Sequence, residues 1–231
     1  MKNYKYELHA HTSGGSRCSR ISAEELVAYF KERGYAGIFI SDHLIGNTAV
    51  PAGTPWRERI ELFFREGYER AAQAGAKVGL NVFCAPECSS FGNDFLMLGL
   101  SKEWWMQQED FPDLTIYQQF DRVHEGGGFI IHAHPFLEAE WVEAIRLFPR
   151  HVDAVEVLNG GKPRAVNEMA YLYAKHYGLP MTAGTDIHSD AVTNLCGIET
   201  SYECRSDREI IQAIKNGDVK LFSAEQGDII A

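Results

Sequence analysis

Short apolar runs that alternate with amphipathic stretches restrict the fold of this chain more than any other feature. Seven such runs occur, at residues 4–8, 37–40, 78–85, 95–100, 129–131, 154–158 and 181–183. Several of them are apolar throughout, which is typical of strands that are buried on both faces of a parallel sheet. The repeated alternation of strand and helix predicts an α/β fold, with either a barrel or a doubly wound sheet.

Helix signals lie between the apolar runs. Ser22 and Glu25 form a capping box that begins a helix, and Gly34 is placed to end it. Periodic apolar residues predict further helices at residues 55–74, 115–125, 138–148, 163–176 and 207–216. Because no repeat, low-complexity tract or linker interrupts the sequence, we expect residues 1–231 to form a single domain.

Polar side chains that can bind metals fall at the ends of nearly all the apolar runs. They are His9 and His11, Asp42 and His43, Glu87, Asn93 and Asp94, His132 and His134, Glu156 and Asn159, and Asp186 and His188. The carboxyl ends of parallel strands in a barrel converge on one mouth, where catalytic residues lie. The sequence therefore predicts one rim that gathers histidines and carboxylates from distant segments.

The spacing of these residues favours metal binding. One residue separates the members of each of the pairs His9/His11, His132/His134 and Asp186/His188. Since side chains at i and i+2 point to the same side of a strand, both members of a pair can reach one ion. Imidazole and carboxylate donors together suit Zn²⁺, Mn²⁺ or Fe²⁺. The donors outnumber the ligands of one tetrahedral ion, so we expect two or three ions that share a bridging carboxylate.

Composition restricts the partners and the compartment. Acidic residues outnumber basic residues by 32 to 22, and the net charge of −10 disfavours a nucleic-acid partner. No apolar run approaches the roughly 18–20 residues that span a bilayer, and the N-terminus has no apolar signal core. The five cysteines include no CxxC pair. These features predict a cytoplasmic protein with reduced thiols and no membrane partner.

Four separate motifs resemble those of the PHP (polymerase and histidinol phosphatase) family of metal-dependent phosphoesterases. The motifs are matched by Leu8-His9-Ala10-His11-Thr12, Ser41-Asp42-His43, Ala133-His134-Pro135 and Gly184-Thr185-Asp186-Ile187-His188-Ser189, and Glu87 stands at the place of the family's bridging glutamate. The resemblance spans residues 4 to about 190. It implies a distorted TIM-like (β/α)7 barrel of seven parallel strands, with up to three metal ions at the carboxyl ends of the strands.

The resemblance also implies how the ligands are divided among the ions. His9, His11, Glu87 and Asp186 would bind a first ion, Glu87 and His134 a second, and His43 and His188 a third. Asp94 stands where the family usually has a further histidine ligand, and an aspartate there favours Mn²⁺ or Fe²⁺ slightly over Zn²⁺. Segment 13–18 lacks the carboxylate that the family commonly supplies after its first motif. Cys18 in this segment is either a soft ligand or a buried structural thiol.

The leading functional hypothesis is hydrolysis of a phosphoester on a small molecule, by a metal-activated hydroxide at a dinuclear or trinuclear site. Asp42 is expected to act in catalysis by orienting ligands or water. The candidates for binding the substrate's phosphate are Arg17, Arg20, Lys162 and Arg164. Arg17 is the first choice for both catalysis and phosphate binding, because its segment replaces the missing carboxylate.

Two other functions stay open at the level of the sequence. One is a metal-dependent amide or cyclic amide hydrolase, although related-looking barrels of that kind often have a modified lysine where Glu87 stands here. The other is a non-catalytic PHP module that its metals stabilise. The identity of the phosphorylated substrate and the oligomeric state also stay open.

Overall fold

The computed structural model describes residues 3–192 and 194–224. The strands are β1 (Tyr4–Ala10), β2 (Tyr35–Ile40), β3 (His43–Ile45), β4 (Asn81–Cys84), β5 (Glu87–Ser90), β6 (Asn93–Leu98), β7 (Phe129–Ala133), β8 (Ala154–Asn159), β9 (Met181–Gly184), β10 (Cys196–Thr200) and β11 (Lys220–Ser223). The helices are α1 (Ala23–Glu32), α2 (Trp56–Phe63), α3 (Arg70–Val78), α4 (Lys102–Met106), α5 (Ile116–Glu125), α6 (Arg164–Tyr177) and α7 (Asp207–Asn216). A π-helical segment, Phe64–Glu69, joins α2 to α3, and a 3-10 turn lies at Phe111–Asp113.

The described strands form two sheets with mainly parallel pairing. One sheet has the order β11-β10-β1-β2-β4, and the other has the order β3-β5-β6-β7-β8-β9. Strands β1, β2 and β4 are parallel, as are β3 and β5, and β7, β8 and β9. The predicted mixed α/β class is confirmed. The TIM-like barrel stays a prediction, because the described ladders divide into two sheets.

The two sheets meet where β9 runs beside β1. The backbone N–H of Asp186 donates to the carbonyl of His9 at 2.8 Å, and the N–H of His11 donates to the carbonyl of Ile187 at 3.1 Å. The buried carboxylate of Glu7 accepts hydrogen bonds of 2.8 Å from the backbone N–H groups of both His9 and Thr185. These bonds bring the carboxyl ends of β1 and β9 together, as the sequence predicts for the rim.

Strand β6 departs from the expected parallel arrangement. It runs antiparallel to both β5 and β7. The cause is the short connection from β5, since Phe91 and Gly92 both have positive φ, at 53° and 79°, and form a two-residue hairpin turn. A parallel pair needs a connection of about a dozen residues or more. Strands β10 and β11, which the apolar runs do not reveal, also pair antiparallel with their neighbours.

The helix predicted over residues 138–148 is absent from the structure, which has no helix between α5 and α6. The segment instead crosses the β5–β6 hairpin. The side-chain amide of Asn93 donates to the carbonyl of Ala144 at 3.1 Å, and its oxygen accepts from the N–H of Arg146 at 3.2 Å. Because Asn93 satisfies these backbone groups, tertiary contacts override the helical spacing of the apolar residues.

The remaining predicted helices are present with shifted ends. The capping box of Ser22 and Glu25 begins α1 as expected. The helical region predicted to end at residue 74 continues to Val78, where Gly79 ends it in the left-handed conformation at φ 70°. No helix in the described ranges is long and apolar enough to cross a membrane.

His132 of β7 is fully buried among aromatic rings. Its imidazole stacks on Phe95, with ring centroids 4.7 Å apart, and lies 5.9 Å from the ring of Phe148. Within the described part of the chain, neither of its ring nitrogens has a hydrogen-bond partner. Burial lowers the pKa of His132 to about 3, so the ring stays neutral in the folded protein at ordinary pH.

We expect His132→Leu to raise the free energy of unfolding by about 1 kcal/mol. An unpaired buried polar group costs about 1–3 kcal/mol, and the lost ring stacking offsets part of that gain. The unfolded chain protonates His132 below a pH of 6.5, whereas the folded chain does so near a pH of 3, so the wild type loses stability as pH falls through this window. Urea denaturation at pH 7 and at pH 5 should show that the free energy of unfolding falls less between these pH values in the variant than in the wild type.

Phe120→Leu is the matched control, because Phe120 also packs against the ring of Phe95, edge to face, and carries no ionisable group. It should lower stability by about 1 kcal/mol and leave the pH dependence unchanged. A His132→Leu protein that is less stable than the wild type, with the same loss between pH 7 and pH 5, would contradict the cost assigned to the buried imidazole.

Candidate metal centre

The end of β1 supplies two imidazoles whose outer nitrogens are fixed by hydrogen bonds. Nδ1 of His9 lies 3.0 Å from Oε1 of Glu156 and donates to that carboxylate. Nδ1 of His11 lies 3.1 Å from Oγ of Ser16, and this hydroxyl donates to Asp42 at 2.7 Å. Since the Ser16 proton is used on Asp42, His11 must donate to Ser16. Both rings therefore carry their proton on Nδ1 and present the lone pair of Nε2 inward.

Two carboxylates face these inward nitrogens. Nε2 of His9 lies 3.3 Å from Oε1 of Glu87 and 3.4 Å from Oδ1 of Asp186. Nε2 of His11 lies 3.5 Å from Oε2 of Glu87 and 3.3 Å from Oδ1 of Asp186. Both nitrogens are buried and make no hydrogen bond with any described residue. Lone pairs thus point at negatively charged oxygens, an arrangement that needs a cation between them.

Three further histidines extend the cluster. Nε2 of His134 lies 3.8 Å from Glu87 and 3.7 Å from Asp186. Nδ1 of His43 lies 2.8 Å from Oε2 of Glu87, and Nδ1 of His188 donates to the carbonyl of Asp186 at 2.8 Å. Their donor atoms form three overlapping groups, each with its atoms within 4.8 Å of one another: His9, His11 and Asp186; His9, Glu87 and His134; and His11, His43 and His188. We call these three groups together the metal centre.

Two residues of the metal centre have a strained backbone. His134 and Asp186 have φ angles of 28° and 55°, and Phe91 in the hairpin turn is the other non-glycine residue with positive φ in the described ranges. Such a conformation costs about 1–3 kcal/mol and is common at functional sites. It also explains why His132 and His134 do not act as a pair. Strand β7 ends at Ala133, and the turned backbone of His134 directs its ring into the centre while His132 stays among the aromatic rings.

Glycines leave room for the residues that hold the ligands. A Cβ atom on Gly184 would lie 2.5 Å from Cβ of His9 and 2.7 Å from Oε1 of Glu156. A Cβ atom on Gly15 or on Gly67 would lie 2.2 or 2.3 Å from Oδ2 of Asp42. Gly67 belongs to the π-helical segment, a distortion that is frequent at functional sites.

The histidines of the metal centre differ in the direction in which their pKa values are shifted; despite burial, Glu87 raises the pKa of His43 to about 11. Burial by itself lowers the pKa of His9, but Asp186, Glu156 and Glu87 raise it well above its usual range. His11 differs, because burial lowers its pKa to about 3 despite Asp186 and Glu87, and the neighbouring His43 and His188 add to the lowering. A proton can therefore occupy the gap beside His9, whereas His11 stays neutral against both carboxylates. Imidazole and carboxylate donors in this arrangement suit a divalent transition-metal ion.

The metal centre forms one wall of a cavity of about 620 Å³. The cavity is lined by Cys18, His43, Gly46, Asn47, Glu87, Ser89, Gly92, Asp94, His134, Leu137, Trp141, Lys162, Asp186 and His188. Trp141 and Leu137 come from the segment that crosses the β5–β6 hairpin. Lys162 extends into the cavity, and its Nζ lies 2.6 Å from Oδ2 of Asp186.

The four candidate phosphate-binding residues differ in whether they line the cavity. Lys162 is the one cation of permanent charge among the described residues that line the cavity. Arg17, Arg20 and Arg164 are exposed and do not line it, and Arg164 pairs with Glu168 at 2.7 Å. Of the four candidates, Lys162 is therefore the one that the described part of the chain brings to the cavity.

The structure places Asp42 behind His11 and Asp94 at the edge of the metal centre. Asp42 is fully buried and does not line the cavity; it accepts hydrogen bonds from Thr12 and Ser16, so it acts on His11 through Ser16.

Asp94 lines the cavity, where its Oδ1 accepts from Ser89 at 2.5 Å and its Oδ2 lies 4.0 Å from Nε2 of His134. Burial, together with the charge of Glu87, raises the pKa of Asp94 to about 7. Asp94 thus stands at the edge of the metal centre, outside the three groups.

Sequence reasoning placed Glu156 on the rim without assigning it a contact, and it missed Ser16 and Trp141. Glu156 holds His9 and also accepts from the N–H of His134 at 3.1 Å. Ser16 holds His11, and Trp141 lines the cavity. A signal existed for Glu156, since a carboxylate within the buried strand β8 is costly unless it is paired. None existed for Ser16 or Trp141.

Solved structures share this fold. The structure superimposes with a TM-score of 0.68 on a two-domain protein from Bacteroides vulgatus that contains a predicted PHP-like metal-dependent phosphoesterase; the sequences are 15% identical, over 96% of this chain and 65% of that chain. An amidohydrolase from Chromobacterium violaceum with bound sulfate and no metal gives a TM-score of 0.56 and 13% identity, over 90% of this chain and 96% of that one. A lesion-specific endonuclease from Pyrococcus furiosus gives a TM-score of 0.62 and a sequence identity of 16%, over 95% of this chain and 58% of that one.

These similarities concern the fold. This chain spans 65% of the two-domain protein from Bacteroides vulgatus. No protein-family model matches the sequence, and no curated protein matches it. These similarities in fold agree with the resemblance that the four sequence motifs indicate.

Proposed function

We propose that this protein is a metal-dependent hydrolase that cleaves a phosphoester on a small molecule. The observation that carries the proposal is the buried contact between the unpaired Nε2 atoms of His9 and His11 and the carboxylates that face them. His9, His11 and Asp186 would hold one ion, and Glu87 with His134 a second. His43 and His188 would hold a third ion, because the one free ring nitrogen of His11 is already used on the first.

The ligand set determines what the centre can do. Two or three Zn²⁺, Mn²⁺ or Fe²⁺ ions at this spacing would supply Lewis-acid stabilisation of a phosphoryl group and lower the pKa of a water. Glu156 and Ser16 contribute by hydrogen bonding to Nδ1 of His9 and of His11, which leaves Nε2 of each ring as the atom that can bind an ion. The strained backbone of His134 and Asp186 directs their side chains to the same region.

Lys162 favours a phosphorylated substrate. Its ammonium group lies in the cavity against Asp186, a candidate ligand. Once ions neutralise Asp186, Lys162 is free to pair with a phosphate oxygen in a charge-assisted hydrogen bond. The cavity of about 620 Å³ has the size of a small-molecule site. The net charge of −10 opposes a long polyanion, so we prefer a small phosphoester to nucleic acid.

Amide hydrolysis is the second candidate. The similarity in fold to the amidohydrolase from Chromobacterium violaceum favours including it. The two candidate reactions differ in the role that they predict for Lys162. An amide carbonyl needs no permanent cation beyond the metal ions, whereas a phosphate dianion does.

The test is a phosphate-release screen with purified protein and with Mn²⁺, Fe²⁺ and Zn²⁺ added separately. Nucleoside monophosphates, sugar phosphates and histidinol phosphate serve as substrates, and amides are included as the competing class. We expect phosphate release in the wild type and its loss in His9→Ala, Glu87→Ala and Asp186→Ala, together with lower bound metal by elemental analysis. Glu103→Ala, an exposed site in α4, is the control.

The outcomes separate the two parts of the proposal. Unchanged metal content in all three variants, each folded by circular dichroism, would exclude the metal centre. Normal metal binding with hydrolysis of amides alone would retain the centre and reject the phosphoester.

Lys162→Ala should raise KM about tenfold or more with little change in bound metal. A hydrogen bond to a charged group is worth about 1.5–3 kcal/mol, and Lys162 touches the carboxylate of a ligand without being one itself. Arg164→Ala is the matched control two residues along the chain, and it should leave KM unchanged. Equal effects of the two substitutions would show that the cavity lysine does not contact substrate.

A further inference from the structure

The wall of the cavity beside the metal centre includes an exposed indole, that of Trp141. Trp141 is 69% exposed, more than any other large apolar residue that the structure describes. Leu137 is the one other large apolar residue among the described residues that line this cavity. Because apolar surface in contact with water is costly, a ligand group that covers these two side chains gains free energy.

A turn after β7 fixes Leu137 next to a candidate metal ligand. The N–H of Leu137 donates to the carbonyl of His134 at 3.0 Å. A hydrogen bond between residues i and i+3 closes a turn in which the two Cα atoms lie less than about 7 Å apart. The ring of His134 points into the metal centre, so an apolar side chain stands one turn away from the ions that His134 would help to hold.

The β5–β6 hairpin supports Trp141 from another side. A Cβ atom on Gly92 would lie 2.7 Å from the carbonyl oxygen of Trp141 and 2.6 Å from Cα of Val142, so this backbone packs directly on the glycine. Farther along the segment, the side-chain amide of Asn93 donates to the carbonyl of Ala144 at 3.1 Å. Because the backbone at Trp141 is held in this way, little freedom is lost when a ligand contacts the indole.

The charges around Trp141 restrict what can bind there. Three acidic residues with exposed side chains, Glu138, Glu140 and Glu143, flank it in the sequence. Their negative charge repels anions, whereas Lys162 and the metal ions attract them. With a substrate's phosphate at the metal centre, the group that reaches Trp141 is therefore uncharged.

An indole favours an aromatic ring over other uncharged groups. Aromatic rings that stack or meet edge to face gain free energy beyond that of burying their area. The cavity of about 620 Å³ has room for a phosphate together with such a ring. We propose that Leu137 and Trp141 form a subsite for an uncharged aromatic ring carried by the phosphorylated substrate. This subsite rests on the proposed function and narrows its substrate class to aromatic phosphoesters.

Matched phosphonates test the subsite by binding alone. The probes are 2-phenylethylphosphonate, 2-cyclohexylethylphosphonate and ethylphosphonate, each titrated by calorimetry into the protein loaded with Zn²⁺. The probes share one phosphonate group, so their differences in affinity report the contribution of the ring. We expect the wild type to bind the phenyl probe about tenfold more tightly than the ethyl probe and about threefold more tightly than the cyclohexyl probe.

Substitutions of Trp141 should remove the preference for the aromatic ring. Trp141→Ala should weaken binding of the phenyl probe about fivefold and leave binding of the ethyl probe unchanged. Trp141→Phe should keep the preference for phenyl over cyclohexyl, whereas Trp141→Leu should lose it, because leucine is apolar without a ring. Tyr177→Ala is the matched control and should bind all three probes like the wild type, since Tyr177 is an exposed aromatic residue that lines a different cavity.

Hydrolysis of the phosphate esters of 2-phenylethanol, 2-cyclohexylethanol and ethanol separates the subsite from the reaction. We expect Trp141→Ala to raise KM for 2-phenylethyl phosphate about fivefold with little change in kcat. Equal affinity of the wild type for the three phosphonates, no binding of any of them, or equal weakening of all three in Trp141→Ala would overturn the subsite, even if the esters are hydrolysed. Ring-dependent binding without hydrolysis of any ester would support the subsite and reject the phosphoester reaction.

Discussion

Two buried imidazole nitrogens that face two carboxylates are the interaction on which the rest of this structure depends. Nε2 of His9 and Nε2 of His11 lie 3.3–3.5 Å from oxygens of Glu87 and Asp186. A proton can relieve this contact at His9, whose pKa is raised by the surrounding carboxylates despite burial. Burial lowers the pKa of His11 to about 3, so a proton does not relieve it there. A divalent ion relieves both contacts at once.

The surrounding architecture maintains that contact at a cost in stability. Glu156 and the Ser16–Asp42 pair hold the two rings from behind, and glycines at positions 15, 67 and 184 leave the space that these groups need. His134 and Asp186 adopt left-handed backbone conformations. Each feature is unfavourable or restrictive by itself, and together they place the donor atoms of residues from β1, β3, β5 and the ends of β7 and β9 within reach of common ions.

The convergence of most of the donor side chains could be predicted from the sequence, because it follows from the topology of the strands. Parallel strands end at the same edge of a sheet, so donors at strand ends, such as His9, Glu87 and Asp186, converge whatever the details of packing. The predictions that were wrong depended on local geometry. The positive φ angle of His134 directs its ring away from that of His132, so the two do not act as a pair. The segment expected to be helical over residues 138–148 is held instead by hydrogen bonds to the side chain of Asn93. Arg17 lies exposed in a loop whose backbone hydrogen bonds, such as the one from its N–H to the carbonyl of Asn47, no periodic pattern reveals.

Anomalous diffraction from crystals grown with Zn²⁺ tests the metal centre most directly. We expect one peak among His9, His11 and Asp186 and a second between Glu87 and His134, each within coordination distance of the donor atoms. The contradicting result is the absence of any peak at saturating Zn²⁺ while these side chains keep the positions described above. Protons would then balance the carboxylates, and the proposed metal centre would be wrong.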